Sequence, residues 1–191
     1  MSTIDSTALR LPAPATNGER LALAFATVLT AFALLAVPDW QDTLTDVCRQ
    51  AAIFAVLTIV VLYVTRLLGP RGVAIERVWL ALFLAGMPLV YVVSWLATGG
   101  AGTSVGWLWV EIAAFPLYAA LAVLGLKRSP WLLAAGIAAH GIAWDAWHYL
   151  LGSPYIPLWY AIGCLLADVG ISVYIVARLP AWRAAEPSHP Q

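Results

Sequence analysis

Five ionisable side chains stand inside long apolar stretches of this sequence. Three are acids, Glu111, Asp145 and Asp168, and two are histidines, His140 and His148. A charged side chain at the bilayer centre costs about 3 kcal/mol on insertion scales, so such residues usually face a cavity or a partner. Carboxylates and imidazoles bind metal ions and transfer protons. The five residues are therefore the candidate functional site.

Helical geometry predicts that these residues form two layers. Glu111 and Asp145 each lie about 9 Å below the same end of their helices, and His148 lies nearer that end. This outer layer is the predicted metal site, because carboxylate and neutral imidazole suit Zn²⁺ or non-haem iron. The deeper layer, His140 with Asp168, is predicted to be a general acid–base pair. In a metal-free alternative, buried Glu111 or Asp145 is the catalytic acid.

Three further residues are predicted to contact a substrate. Trp144 and Trp147 share the helix of the two histidines, and their ring faces would stabilise a developing cation. Cys164 stands four residues before Asp168, which places both on one helix face. A small packing residue is the alternative interpretation of Cys164. The sequence shows no Ser–His–Asp order, phosphate-binding loop or haem attachment motif.

The composition indicates which solvent surrounds these residues. Apolar residues make up 62% of the 191 positions, charged residues make up 10%, and the mean hydropathy is +0.85. Soluble domains carry about 25% charged residues, and chains of this size bury the smallest share of their surface. The chain is therefore predicted to lie in a lipid bilayer. Its zero net charge and lack of a basic run exclude a nucleic-acid footprint.

The predicted fold is an all-α, polytopic transmembrane bundle of about six helices. A spanning helix needs about 20 apolar residues, and short loops make consecutive helices antiparallel neighbours. Residues 21–178 are predicted to be one transmembrane domain, and residues 1–20 and 179–191 to be disordered cytoplasmic tails. The six predicted spans are Leu21–Pro38, Ala51–Leu68, Val78–Ala97, Val105–Leu126, Trp131–Leu151 and Pro157–Arg178.

Basic residues predict the orientation. If the N-terminus is cytoplasmic, nine Arg and Lys side chains fall inside and only Arg49 falls outside. An excess of Lys and Arg is typical of cytoplasmic loops. Both termini are therefore predicted to be cytoplasmic, with the outer layer of the site near the external face.

The stretch from His140 to Asp168 carries a recognisable pattern. It reads His-x3-Trp-Asp-x2-His, then Gly-x-Pro-x-x-Pro from Gly152, then Gly-Cys-x3-Asp. This pattern resembles a family of small bacterial integral-membrane proteins described as a domain of unknown function. The resemblance covers roughly residues 105–175, and Tyr149 departs from it, because the family often has a second histidine there. It implies a bacterial inner-membrane protein whose motif residues act as a unit, and it implies no reaction.

The leading functional hypothesis is a membrane-embedded enzyme acting on a lipid or isoprenoid. It would be a metal-dependent hydrolase or an acid-catalysed cyclase or isomerase. One alternative is a small proton-coupled transporter, since such carriers also use buried Glu, Asp and His. No inverted repeat is visible in the sequence, and a homodimer would supply that symmetry. The other alternative is a structural or partner-binding bundle held together by these polar contacts.

Overall fold

The computed structural model describes the backbone of residues 43–185 and most side chains from residue 53 onward. Within that range the chain is all-α, which confirms the predicted fold class, and it contains no strand. The first predicted span and the tail before it lie outside the described residues. The helices are α1 (Thr43–Leu67), α2 (Pro70–Ala97), α3 (Val105–Lys127), α4 (Trp131–Ala139), α5 (Ala146–Leu151) and α6 (Leu158–Ala185).

Two irregular turns interrupt this series. A 3₁₀ turn (Gly99–Gly102) lies between α2 and α3, and a π-helical turn (His140–Asp145) joins α4 to α5 without a break. The predicted span Trp131–Leu151 is therefore one continuous helix with a widened turn in its middle. This turn contains two of the five predicted site residues.

Glycine and proline set the helix ends near the site. The glycine after the fifth apolar stretch predicts that Gly152 is a helix C-cap, and Gly152 does end α5 in the left-handed conformation, at φ 60° and ψ 50°. The amide of Ser153 then donates to the carbonyl of His148 at 3.2 Å, and the carbonyl of Pro157 accepts the first amides of α6. The crossing at 152–157 is therefore fixed by backbone hydrogen bonds.

The apolar surface of the bundle indicates a membrane environment. The helical stretches Arg71–Ala97, Val105–Lys127 and Leu158–Ala185 are each long and apolar enough to span a bilayer. Large apolar side chains point outward along the helices, and Leu67 and Leu150 are each 77% exposed. Exposed apolar area on this scale marks a surface that contacts lipid or another apolar partner. The chain is a membrane protein.

The bundle has two loop-bearing ends, named here by one residue each. The Ser153 end carries loops 98–104 and 152–157, and the Arg128 end carries loops 68–69 and 128–130. One apolar cluster includes Leu84, Ile137 and Ile175, and a smaller one at the Ser153 end contains Tyr91, Tyr155, Ile156, Tyr160 and Ala161. Trp144 packs against both clusters.

Helix α1 begins at Thr43 rather than at the predicted Ala51. Two further helix boundaries differ from the prediction. Helix α2 begins at Pro70 rather than at Val78, because proline is favoured in the first helical turn. Helix α6 continues to Ala185, so residues 179–185 are helical and not part of a disordered tail. The reason is packing, since Trp182 is fully buried on that last stretch. Both extensions add polar residues to the helices at the Arg128 end.

Candidate functional site

Three of the predicted site residues converge deep in the bundle. Atoms of His140, Asp145 and Asp168 that are able to bind a metal all lie within 4.8 Å of one another. His140 Nδ1 lies 2.9 Å from Asp168 Oδ2 and 3.6 Å from Asp145 Oδ2. All three side chains are buried, with at most 3% exposed. We call this group the deep cluster.

The π turn is the reason that Asp145 belongs to the deep cluster. In a regular α-helix, residues five apart point in directions about 140° apart, so Asp145 would turn away from His140. A π turn bonds residue i to residue i+5 and carries an extra residue in the turn, often at a functional site. Residues 140–145 adopt this turn, and Asp145 consequently reaches the ring of His140.

Two tyrosines from other helices enclose the deep cluster. The hydroxyl of Tyr91, on α2, donates a hydrogen bond to Asp145 Oδ1. The ring of Tyr118, on α3, meets His140 edge to face, with ring centroids 5.2 Å apart. Neither tyrosine was predicted from the sequence, because a tyrosine in an apolar helix carries no signal that separates it from an ordinary core aromatic.

A second group of buried polar residues lies toward the Ser153 end. His148 Nε2 lies 3.0 Å from Glu111 Oε1, and His148 Nδ1 lies 2.8 Å from Ser153 Oγ. Glu111 also accepts hydrogen bonds from Tyr155 Oη at 2.8 Å and Trp144 Nε1 at 3.0 Å. We call these five residues the upper cluster. Ser153 and Tyr155 were not predicted, because the crossing loop joins them to the helices only in the folded chain.

Tyr91 connects the two clusters. Its hydroxyl bonds to Asp145, and its ring stacks on His148 with centroids 4.3 Å apart and planes inclined by 17°. Buried polar groups therefore follow one another from Asp168, in the middle of α6, to Ser153 at the end of the bundle.

The structure changes the predicted grouping of the ligands. The expected contact between His140 and Asp168 is confirmed. The predicted metal set of Asp145, His148 and Glu111 is not the set that converges, because the π turn moves Asp145 into the deep cluster. Glu111 and His148 instead pair with each other.

The predicted substrate contacts lie beside the upper cluster. Trp144 donates to Glu111, while Trp147 stacks on Trp107 at 5.2 Å and lies 5.0 Å from His148, ring to ring. Cys164 is half-buried and packs against the apolar cluster at the Ser153 end. Their roles toward a substrate stay predictions.

The two clusters differ in charge balance. In the upper cluster one carboxylate faces one imidazole, so a single proton on the imidazole neutralises the pair. The deep cluster holds two carboxylates and one imidazole, and a proton on His140 still leaves one negative charge. An uncompensated buried charge is costly. The deep cluster therefore needs a cation or a further proton, and Asp145 Oδ2 is buried there without a hydrogen-bond partner.

A separate buried ion pair lies toward the Arg128 end. Glu76 on α2 is fully buried and accepts hydrogen bonds from Arg178 at 2.9 and 3.2 Å, from Trp182 at 3.0 Å and from Tyr174. The sequence predicts buried ionisable residues only in the last three spans, and buried Glu76 on α2 shows that this prediction is wrong. The predicted third span begins at Val78, so the prediction places Glu76 in the loop before it. Every acceptor position of this carboxylate is used, which is typical of a structural clamp between α2 and α6.

Relatives would give independent information about these clusters. Comparisons with protein-family models, with curated proteins and with solved structures give no match for this chain. The resemblance to a family of small bacterial membrane proteins accordingly stays a prediction, and the chemistry of the two clusters is the basis for a functional conclusion.

Proposed function

We propose that this membrane protein is an enzyme whose deep cluster binds one divalent metal ion and acts on a lipid or isoprenoid. The observation that carries the proposal is the convergence of one imidazole, that of His140, with two carboxylates, those of Asp145 and Asp168. A divalent cation balances both carboxylates while His140 stays neutral. The ligands differ from the set Asp145, His148 and Glu111 that was predicted from the sequence. The proposed metals, Zn²⁺ or non-haem iron, are the same.

Two of the three spacings between the donor atoms fit such an ion. Ligand bonds of Zn²⁺ to nitrogen and oxygen are about 2.0–2.2 Å, so neighbouring ligands on one ion lie roughly 3.0–3.6 Å apart. The two distances from His140 Nδ1, 2.9 and 3.6 Å, bracket this range. Three protein ligands also leave a coordination position open, as catalytic zinc sites do.

The surroundings of the site support an apolar substrate. A metal ion with an open position acidifies a bound water and makes it nucleophilic. An open groove of about 360 Å³ lies between α4 and α6 at the surface of the bundle and is lined by residues that include Trp131, Ala138, Ile142 and Val169. Ile142 is in the π turn and Val169 follows Asp168 in the chain, but no residue of the deep cluster lines this groove. Its lining is apolar and suits a hydrocarbon chain.

Metal analysis of the purified protein tests the proposal. The protein would be purified in detergent without a metal-affinity tag and measured by elemental analysis, with the copurifying lipids identified by mass spectrometry. About one equivalent of zinc or iron is expected. Asp145→Asn and Asp168→Asn should lose the metal, because each removes a ligand charge. His148→Gln is the matched control, since it changes a buried histidine outside the deep cluster.

A proton-coupled carrier is the second candidate. The observation that favours it is the line of polar groups that runs from Asp168 through Tyr91 to His148. Buried carboxylates and histidines in series are typical of proton relays in transporters. The carrier would be favoured over the enzyme by two results together. The purified protein would contain no metal, and liposomes that contain it would show proton-driven uptake of a solute that Asp145→Asn abolishes. A metal content that Asp145→Asn and Asp168→Asn leave unchanged would refute the proposed ligand set.

The proposed location is the bacterial inner membrane with both chain termini in the cytoplasm. The excess of basic residues on one side supports it. In this orientation the Ser153 end, and with it the upper cluster, faces the outside of the cell.

A further inference from the structure

The upper cluster contains a hydroxyl, an imidazole and a carboxylate in series. Ser153 Oγ lies 2.8 Å from His148 Nδ1, and the other ring nitrogen, Nε2, lies 3.0 Å from Glu111 Oε1. A hydroxyl within hydrogen-bond reach of a base that is oriented by a third group is the arrangement of an activated nucleophile. His148 and Ser153 stand five residues apart in the sequence, in an order that predicts no such contact.

The carboxylate selects the useful tautomer of the imidazole. The negative charge of Glu111, 3.0 Å from Nε2, favours the tautomer with its proton on Nε2, and in that tautomer the lone pair of Nδ1 faces the Ser153 hydroxyl. The carboxylate lies off the direction of the ring N–H, and unliganded sites often show such poor alignment before a substrate binds. Glu111 is itself fixed by Tyr155 and Trp144. Glu111 would thus be a positioning residue and His148 the base.

The position of Ser153 selects the class of substrate. Ser153 is the first residue after the Gly152 cap, where the helix leaves the apolar part of the bundle. The boundary between lipid head groups and hydrocarbon lies at such helix ends, and the ester carbonyls of acyl lipids lie at this boundary. Ser153 itself is buried, at 4% exposed, whereas Gly152 and Pro154 on either side of it are exposed, so a substrate would reach its hydroxyl from the Ser153 end.

We propose that Ser153 is the nucleophile of an acyl-transfer site that takes a carboxylic ester of a long-chain acyl group. In the first step Ser153 Oγ attacks the ester carbonyl, and His148 Nδ1 takes the hydroxyl proton. The carbon–oxygen bond to the leaving alcohol breaks, the alcohol receives that proton from His148, and the acyl group remains as an ester on Ser153. Water then attacks this ester with His148 as base, which releases the fatty acid and restores the hydroxyl.

This site is independent of the metal proposed for the deep cluster. None of its three groups belongs to the deep cluster, and no step requires a metal ion. The alternative role of Ser153 is a helix cap, because its amide already bonds to the carbonyl of His148. A cap requires no nucleophilic reactivity, so a reagent that reacts only with activated serines separates the two roles.

The test is labelling of the full chain with an alkyl fluorophosphonate in phosphatidylcholine nanodiscs. The hydroxyl oxygen of an activated serine bonds to phosphorus and fluoride leaves. We expect labelling of Ser153, located by peptide mass spectrometry, both with and without a chelator. Ser153→Ala should abolish it, and His148→Gln should slow it about 100-fold or more, as loss of a general base does. Ser94→Ala is the matched control, because it removes another buried hydroxyl and should leave the rate unchanged.

Glu111 needs a test that separates positioning from folding. Glu111→Asp keeps the carboxylate and is expected to be labelled faster than Glu111→Gln at equal thermal stability. Absence of a label on Ser153 in the folded wild-type chain would overturn the proposal. An unchanged labelling rate in His148→Gln would overturn it as well. Since metal content is measured separately, either result would leave the metal proposal standing.

Discussion

Gly141→Ala is the substitution expected to open the deep cluster without changing any of its side chains. Gly141 lies in the π turn, where a Cβ atom would be 2.8 Å from Asp168 Cβ and 3.1 Å from the carbonyl oxygen of Leu165. Ordinary contacts of this kind begin at 3.4 Å. Both neighbouring atoms belong to or adjoin the backbone of α6, so α6 must move away by about 0.6 Å, the difference between 3.4 and 2.8 Å.

This displacement has two measurable consequences. The distance between His140 Nδ1 and Asp168 Oδ2, now 2.9 Å, would rise to about 3.5 Å, beyond a good hydrogen bond. Overpacking costs about 1–3 kcal/mol, and the better helix propensity of alanine offsets up to about 1 kcal/mol. We therefore expect a net loss of roughly 1–2 kcal/mol in unfolding free energy, measured by denaturation in detergent. Metal affinity should fall about tenfold or more, since ligand distances must hold within roughly 0.2 Å.

Gly136→Ala is the matched control on the same helix. A Cβ at that position would be 2.7 Å from Leu84 Cδ2, which is the end of a core side chain and not backbone of α6, so any adjustment falls on Leu84 and not on the deep cluster. It should leave metal affinity unchanged and alter stability by less than about 1 kcal/mol. If Gly141→Ala matches this control in both metal affinity and stability, close packing of α6 against the π turn does not position the cluster.

Three other predictions follow from the polar contacts and the charge pattern. Tyr91→Phe removes the hydroxyl that donates to buried Asp145 and should lower the unfolding free energy by about 1–3 kcal/mol in a denaturant titration. No loss of stability would mean that water or another group replaces the hydroxyl. Glu76→Gln removes the carboxylate charge beside buried Arg178 and should cost about 3–5 kcal/mol. The double variant Glu76→Leu/Arg178→Met should recover part of this loss, because Trp182 and Tyr174 still lose their acceptor; equal losses in both variants would contradict the clamp. For the proposed orientation, an impermeant thiol reagent applied to intact cells should modify Ala101→Cys and spare Lys127→Cys, and the reverse pattern would invert the bundle.

The comparison of sequence and structure is clearest for the acidic residues. Glu111 and Asp168 were identified because single acids in apolar helices have a large insertion cost whatever their partners are. Glu76 has the same property and was missed, because its position two residues before the predicted span made it resemble an ordinary loop charge. The end of a helix is set partly by tertiary packing, and the contact of Glu76 with Arg178 forms only when α2 packs against α6.

The sequence by itself determined that this is an all-α membrane protein with buried histidines and acids, and that Gly152 ends a helix. These features depend on composition, on the spacing of residues close together in the sequence and on the conformational freedom of one glycine. None of them requires knowledge of which helices pack together. Only the tertiary structure decided which side chains meet. Regular helical spacing predicts that Asp145 contacts His148, whereas in the structure the π turn brings Asp145 to His140. The difference arises from one extra residue in one turn. Tyr91, Tyr155 and Ser153 join the clusters from another helix or from the crossing loop, so their contacts depend on the packing of the whole bundle.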